Sequence, residues 1–209
     1  MRPARSLQDI VAASTVSIHR FTIEDYLKMG EVGIISPDER VELIDGQVER
    51  MSPVGNWHFR AVAVLTRLLP EQLGPGLLCS PAGGLNVGRH TQLVPDFVIA
   101  RDSDDWEVGL SGAECLLVVE VSHSSLSTDR TRKKAIYAAE DIPEYWIVDL
   151  AGRAVEVYAD PRGGSFRSGR RLERGQVVES VSVPGLVVPV SAITPPDGAD
   201  SAADEQLHG

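Results

Sequence analysis

Residues 115–122, CLLVVEVS, restrict what this chain can become more than any other stretch. An almost unbroken apolar run of that length reads as a strand in the core of a protein. It nevertheless carries Glu120 in its interior. An ionised carboxylate is costly to bury unpaired, so Glu120 needs a partner. The run VPDFVIA at 94–100 repeats the problem, with Asp96 between Pro95 and Phe97. One such acid could be a local accident, but two on neighbouring core-like strands point to a site.

The surrounding sequence supplies the elements that would place them. FTIEDYLKMG reads as a short helix, with Thr22 as N-cap, Asp25 completing a capping box and Gly30 as its stop. RVELIDGQVERM then reads as two strands about an Asp45-Gly46 hairpin turn. WHFRAVAVLTRLLPEQLG has Ala61, Val64, Leu65 and Leu68 at helical spacing, to be kinked or ended by Pro70. Short strands follow in GLLCS, GGLNVG and LVPDFVIA, and Pro95 suggests a bend or bulge beside the acid. After the acidic loop RDSDDWEVGLSG and the strand 115–122, STDRTRKKAIYAAED reads as a helix. It would start at Thr128 or Asp129 and set Ala135, Ile136 and Ala139 on its apolar side. EYWIVD and RAVEVYAD are further strands about an Ala151-Gly152 turn, and the remainder to about Ile193 alternates like sheet. The expected class is α/β or α+β: a central sheet flanked by a long early helix and one crossover helix.

Length and charge narrow the function. The 209 residues fit one domain with a sizeable core. We expect a flexible extension over 1–18, the folded domain over 19–193 and an acidic disordered tail over 194–209. No apolar run reaches the roughly 20 residues of a membrane span, and Asp9 interrupts the N-terminal stretch before any secretory h-region forms. The expectation is a cytoplasmic protein without a membrane partner. Cys79 and Cys115 lack CxxC spacing and read as reduced core thiols. A net charge of −10 argues against coating nucleic acid by bulk electrostatics, though not against a local basic patch or bound metal ions.

If the Asp96 and Glu120 strands pair, both carboxylates can share one face. They would then suit a hard divalent cation, with the Val121 carbonyl as a third oxygen. Lys133, early in the next helix, can reach the same mouth, where an ammonium would orient water and stabilise charge on a phosphate. Its bland alternative is an i,i+4 surface pair with Asp129. Glu42 could join the site or face solvent on its strand. His58, between Trp57 and Phe59, could be a ligand or a packing residue. His123 sits among serines, but no G-x-S-x-G elbow supports a hydrolase triad. P-loop, G-x-G-x-x-G and H-E-x-x-H signatures are absent. Arg162, Arg167, Arg170, Arg171 and Arg174 cluster in DPRGGSFRSGRRLERG, either as a solvated hairpin or as phosphate contacts.

The order ELIDGQVERMSP, His58, VPDFVIA and LVVEVSHSSLSTDRTRKKAIYAAEDIPEYWIVDL resembles the Uma-two family of restriction-endonuclease-like proteins, in the PD-(D/E)XK nuclease superfamily. The likeness runs from about residue 19 to about 193, and EVSHSSLSTDRTRKKAIYAAEDIPEYWIVD is its most specific part. The resemblance implies a restriction-endonuclease-like mixed sheet flanked by helices and a metal-dependent phosphodiesterase site. Asp96 matches the motif aspartate and Glu120 the acid of (D/E)XK. Ser122 stands where the usual lysine would be, and Lys133 matches the family's lysine on the next helix. Glu42 matches a further acid and His58 a family histidine. His123 departs from relatives that carry an acid or proline there. The expected function is a Mg²⁺- or Mn²⁺-dependent nuclease acting on DNA, with a homodimer compatible. The alternatives are an inactive nucleic-acid-binding or regulatory module, and a structural sheet with incidental acids.

Overall fold

The computed structural model describes residues 17–103 and 109–199. The first sixteen residues, most of the acidic loop's centre (104–108) and most of the expected tail (200–209) lie outside them. Helix α1 (Ile23–Glu31) starts as its capping box dictates. Thr22 Oγ1 accepts from the Asp25 N–H, and the Asp25 carboxylate accepts from Thr22 N–H at 2.9 Å. It runs one residue past Gly30. Strands β1 (Val41–Ile44) and β2 (Gln47–Arg50) pair with Ile44 opposite Gln47, leaving a two-residue turn. Asp45 and Gly46 have φ of 53° and 74°, the left-handed pair such a hairpin requires. A Cβ on Gly46 would also collide with Arg20.

Helix α2 (Asn56–Leu68) buries Ala61 and Leu65, and Pro70 ends it by opening a single 3₁₀ turn (Pro70–Gln72). Next come β3 (Leu77–Pro81), β4 (Leu85–Asn86), β5 (Gln92–Leu93), β6 (Phe97–Arg101), β7 (Leu110–Ser111) and β8 (Cys115–Ser122). Helix α3, residues 126–139, is an α-helical turn (Leu126–Thr128), one wide π-type turn (Asp129–Lys133) and a further α-helix (Lys134–Ala139). Strands β9 (Glu144–Asp149), β10 (Ala154–Arg162), β11 (Ser165–Glu173), β12 (Val177–Glu179) and β13 (Val187–Pro189) complete the sheets, and the short helix α4 (Val190–Ile193) follows.

The expected mixed central sheet is present, and a second, smaller sheet accompanies it. One has order β11-β10-β9-β8-β6-β3 and the other β2-β1-β5-β4-β7; β12 and β13 form a separate ribbon. In the larger sheet β8 and β9 are parallel, and α3 is the crossover between them. Strand β6 runs antiparallel beside β8, with Phe97 opposite Val119, so the strands of the two acids are neighbours. Pro95 marks no bulge; the register shift falls at Ile99/Ala100. Pro95 lies instead where the chain leaves β5 of one sheet for β6 of the other. Lacking an N–H, proline suits a break between ladders.

The larger sheet is covered on both faces. Leu117, Val119, Val121, Trp146 and Val148 pack with α2 and α4, while Val118, Tyr145 and Ile147 pack with α3 and the smaller sheet. Strand alternation gives Glu120 to the second face. Cys79 and Cys115 are free, and burial pushes their thiols up to about 11 and about 12, as inert core cysteines require. Among the described residues, no helix is long and apolar enough to cross a membrane.

Candidate active site

The seam between the two sheets builds the site. Strand β1 pairs with β5 through Leu43 and Gln92, and the chain then passes through Val94, Pro95 and Asp96 into β6. Glu42 is carried to this seam. It is 4% exposed rather than solvent-facing, and its Oε1 accepts from the Val94 N–H at 2.9 Å. Asp96, just before β6, is held at both oxygens. Val121 N–H donates to Oδ2 at 2.7 Å, and His58 Nε2 lies 2.9 Å from Oδ1. The first turn of α2 thus brings the His58 ring to Asp96. Its Nδ1 is buried without a partner among the described residues.

Lys133 reaches the seam from α3. Its Nζ lies 3.0 Å from Glu42 Oε1 and 3.0 Å from Glu120 Oε1, with all three side chains buried. Its surface pairing with Asp129 is not made. Asp129 is 1% exposed and accepts instead from Ser122 Oγ at 2.7 Å and Ser125 Oγ at 2.6 Å. The expected apolar side of α3 is corrected as well: Ala135 and Ala139 are exposed, and the helix buries Asp129, Lys133, Tyr137 and Ala138. The stripe facing the sheet is largely polar because it faces a site, and hydrophobic periodicity is blind to it. Tyr137 is the residue that sequence reasoning missed. Its hydroxyl donates to Glu120 Oε1 at 2.9 Å. The signal was available in the i, i+4, i+8 spacing of Asp129, Lys133 and Tyr137 on one helix.

These groups open into a cleft of 580 Å³ lined by Glu42, Asp96, Glu120, Lys133, His58 and His123, with Arg40 and Arg50 also on its wall. Burial pushes the Glu120 carboxyl up to about 8; Lys133 opposes this, while the charges of Asp129, Asp96 and Glu42 add to it. Burial also disfavours the Lys133 ammonium, but Glu120, Glu42 and Asp129 outweigh it and hold its pKa well above the ordinary lysine value. The site therefore keeps a fixed cation amid several acidic side chains, of which Glu120 is the one burial inclines to hold a proton.

Among the described residues, no group of three or more His, Cys, Asp or Glu side chains forms a ready metal cage. The donor chemistry still fits a hard divalent cation. Glu42 and Glu120 line the cleft and each spends only Oε1 on the protein, leaving Oε2 without a hydrogen bond among the described residues. One buried oxygen of Asp129, Oδ1, is likewise unpartnered.

The five hairpin arginines lie elsewhere; none lines the cleft. Arg171 bridges Asp149 and Glu156, and Arg174 donates to the Thr194 and Pro195 carbonyls. Arg170 donates to the Glu179 carbonyl, and Arg162 pairs with Asp160. Arg167 is exposed on β11.

Comparison with known proteins agrees with this architecture. A crystal structure titled as "a putative nuclease belonging to DUF820" from Anabaena variabilis superimposes with a TM-score of 0.61. It is 14% identical, and the match covers 83% of this chain and 97% of that one. At that identity the likeness concerns the fold. No curated protein matches the chain. The family model for Uma2, described as "Putative restriction endonuclease", matches residues 23–191, which hold every cleft residue named above. The chain belongs to the Uma2 family.

Proposed function

We propose that the protein is a divalent-metal-dependent nuclease that hydrolyses phosphodiester bonds, with DNA as its substrate. The observation that carries this reading is the convergence of Lys133, from α3, on Glu120 and Glu42 from two different sheets, beside Asp96 and within one cleft. A structural ion pair needs no cleft and no unspent carboxylate oxygens, whereas phosphate chemistry needs both.

Asp96, Glu120 and the Val121 carbonyl would hold Mg²⁺ or Mn²⁺, with Glu42 supporting a second ion or the first ion's water. Such an ion supplies Lewis acidity toward the phosphate and lowers the pKa of water. The chain's own groups do the rest. His58 and the Val121 N–H fix both oxygens of Asp96, so the carboxylate is oriented before substrate arrives. The Lys133 ammonium, held by two carboxylates, is placed to orient the attacking water and to stabilise negative charge developing on the phosphoryl oxygens. Its raised pKa keeps it charged at neutral pH. In the wider PD-(D/E)XK superfamily pattern a lysine two residues after the acid does this work. Here Ser122 is turned to Asp129, and the helix delivers the cation instead.

Arg40 and Arg50 on the cleft wall would meet the substrate backbone first, with Arg162 and Arg167 on the hairpin as outer contacts. Cleavage of a panel of duplex and single-stranded DNA and RNA tests the assignment, with Mg²⁺ or Mn²⁺ and with chelator. Lys133→Ala and Glu120→Ala are each expected to lower the rate by about 10²–10³-fold, and chelator to abolish cleavage. Activity that survives chelator, or that neither substitution lowers, would remove the reading.

A further inference from the structure

Glu120 is buried at the cleft, and the way it is held goes beyond pairing with lysine. Tyr137 Oη and Lys133 Nζ both donate to the same oxygen, Oε1, at 2.9 and 3.0 Å. Oε2 receives no hydrogen bond among the described residues, in a side chain that lines the cleft. Two donors from successive turns of one helix thus take one side of the carboxylate.

We infer that Tyr137 is a positioning residue: with Lys133 it pins Oε1 of Glu120 and so presents Oε2 to a divalent cation. Its hydroxyl is well suited to this. The ring is fully buried and lies 4.8 Å from the Tyr145 ring, centroid to centroid, so the hydroxyl has little freedom to swing away. The charge of Lys133 is shared with Glu42, whose Oε1 lies equally near. A lysine alone, on a flexible stem and attracted by two carboxylates, would leave Glu120 free to rotate; a neutral, rigid donor does not. Outer partners of metal-binding carboxylates commonly set affinity in this manner, at about 10-fold or more per partner.

The inference rests on the proposed metal site, and the test separates the two. Mn²⁺ binding is measured by calorimetry, without substrate, on the wild-type chain, Tyr137→Phe, Tyr145→Phe and Glu120→Ala. Thermal melting is recorded on the same samples. Phenylalanine keeps the Tyr137 ring packing and removes only the hydroxyl. The Tyr145 hydroxyl faces the Asp129 carbonyl at 3.4 Å and touches no proposed ligand, so its loss controls for a loosened core. We expect Tyr137→Phe to weaken Mn²⁺ binding about 10-fold and to raise the metal concentration that half-saturates cleavage by a similar factor. Tyr145→Phe should leave both within about twofold. A purely structural Tyr137 would lower the melting temperature with unchanged Mn²⁺ affinity, and that result would overturn the inference. Equal weakening by the two phenylalanine variants would overturn it too. No Mn²⁺ binding by the wild-type chain, or none lost in Glu120→Ala, would instead sink the metal site itself.

Discussion

Lys133 is 7% exposed and contributes the ammonium that offsets Glu42 and Glu120. Removing one partner of a buried pair leaves the other charge uncompensated, which is costlier than never having had the pair. Lys133→Met should therefore destabilise the metal-free protein by about 3 kcal/mol above about pH 8, where Glu120 is ionised, and by less below it, where the carboxyl takes a proton. Adding Glu120→Gln should recover part of that loss, because the stranded charge is gone. Urea denaturation of the single and double variants in chelator checks this, and a double variant no more stable than the single would contradict it. At this scale the sequence was readable where a residue's type was out of place. Glu120 and Asp96 betrayed themselves as acids in apolar runs. Tyr137 did not, because a tyrosine in a helix is ordinary and only its hydroxyl partner makes it part of the site.

Helix α3 shows what an element can hide. Its burial stripe is Asp129, Lys133, Tyr137 and Ala138, so a search for apolar spacing selects the alanines that face solvent. The hairpin about Asp45-Gly46 and the strands 115–122 and 144–149 were legible because turn chemistry and apolar runs are local signals. The division into two sheets was not, since β4, β5 and β7 are two residues long and carry no periodicity. The same helix is tied to the neighbouring strands by a second charged group outside the cleft. Arg130 on α3 and Arg171 on β11 both bridge Asp149 at the end of β9 and Glu156 on β10. Gly152 leaves the room this needs: a Cβ there would strike Asp149 and Arg171. Burial pushes the Glu156 carboxyl up, but the Arg130 and Tyr158 hydrogen bonds and the two guanidinium charges outweigh it and hold its pKa below the ordinary glutamate value. A lowered carboxylate pKa contributes stability that is present above the unfolded value near 4.5 and lost as pH falls through the folded one. Melting temperature should therefore drop as pH falls below about 4.5, and Glu156→Gln should flatten that drop. Arg171→Ala should cost only about 1 kcal/mol at neutral pH, because its outer end is exposed and Arg130 still spans both acids. A pH profile unaltered by Glu156→Gln would show that other carboxylates set the acid limb.

At the scale of the whole molecule, the cleft forms where two sheets meet, and both signs of charge line it. Glu42, Asp96, Glu120 and Asp129 line it, and on the β1–β2 side Arg40 and Arg50 stand with Glu49, which is itself paired with Arg132. In a chain of net charge −10, a polyanion gains little from the overall field, so local cations must supply the phosphate contacts. The sequence drew the eye to the arginine-rich hairpin, because five arginines in thirteen residues stand out in one dimension. Folding gives most of them carbonyl or carboxylate partners, whereas the scattered Arg40 and Arg50 come together at the cleft. Arg50 is the freer of the two: its side chain is 86% exposed and its nearest acid, Glu39, lies 3.7 Å away. Arg40 is anchored by a bond to the Ser52 carbonyl at 3.1 Å, which leaves its remaining N–H groups to a ligand. Each contact to a phosphate releases counterions, so its loss lowers the salt dependence of binding as well as the affinity. Binding of a labelled oligonucleotide in chelator, measured across a salt series, should weaken in Arg40→Ala and in Arg50→Ala irrespective of base sequence. The slope of log affinity against log salt should fall by about 1 for each. Arg167→Ala, on the outer hairpin, should change affinity less than either. Loss confined to Arg162 and Arg167 variants, with Arg40 and Arg50 variants unchanged, would move the backbone track from the cleft wall to the hairpin.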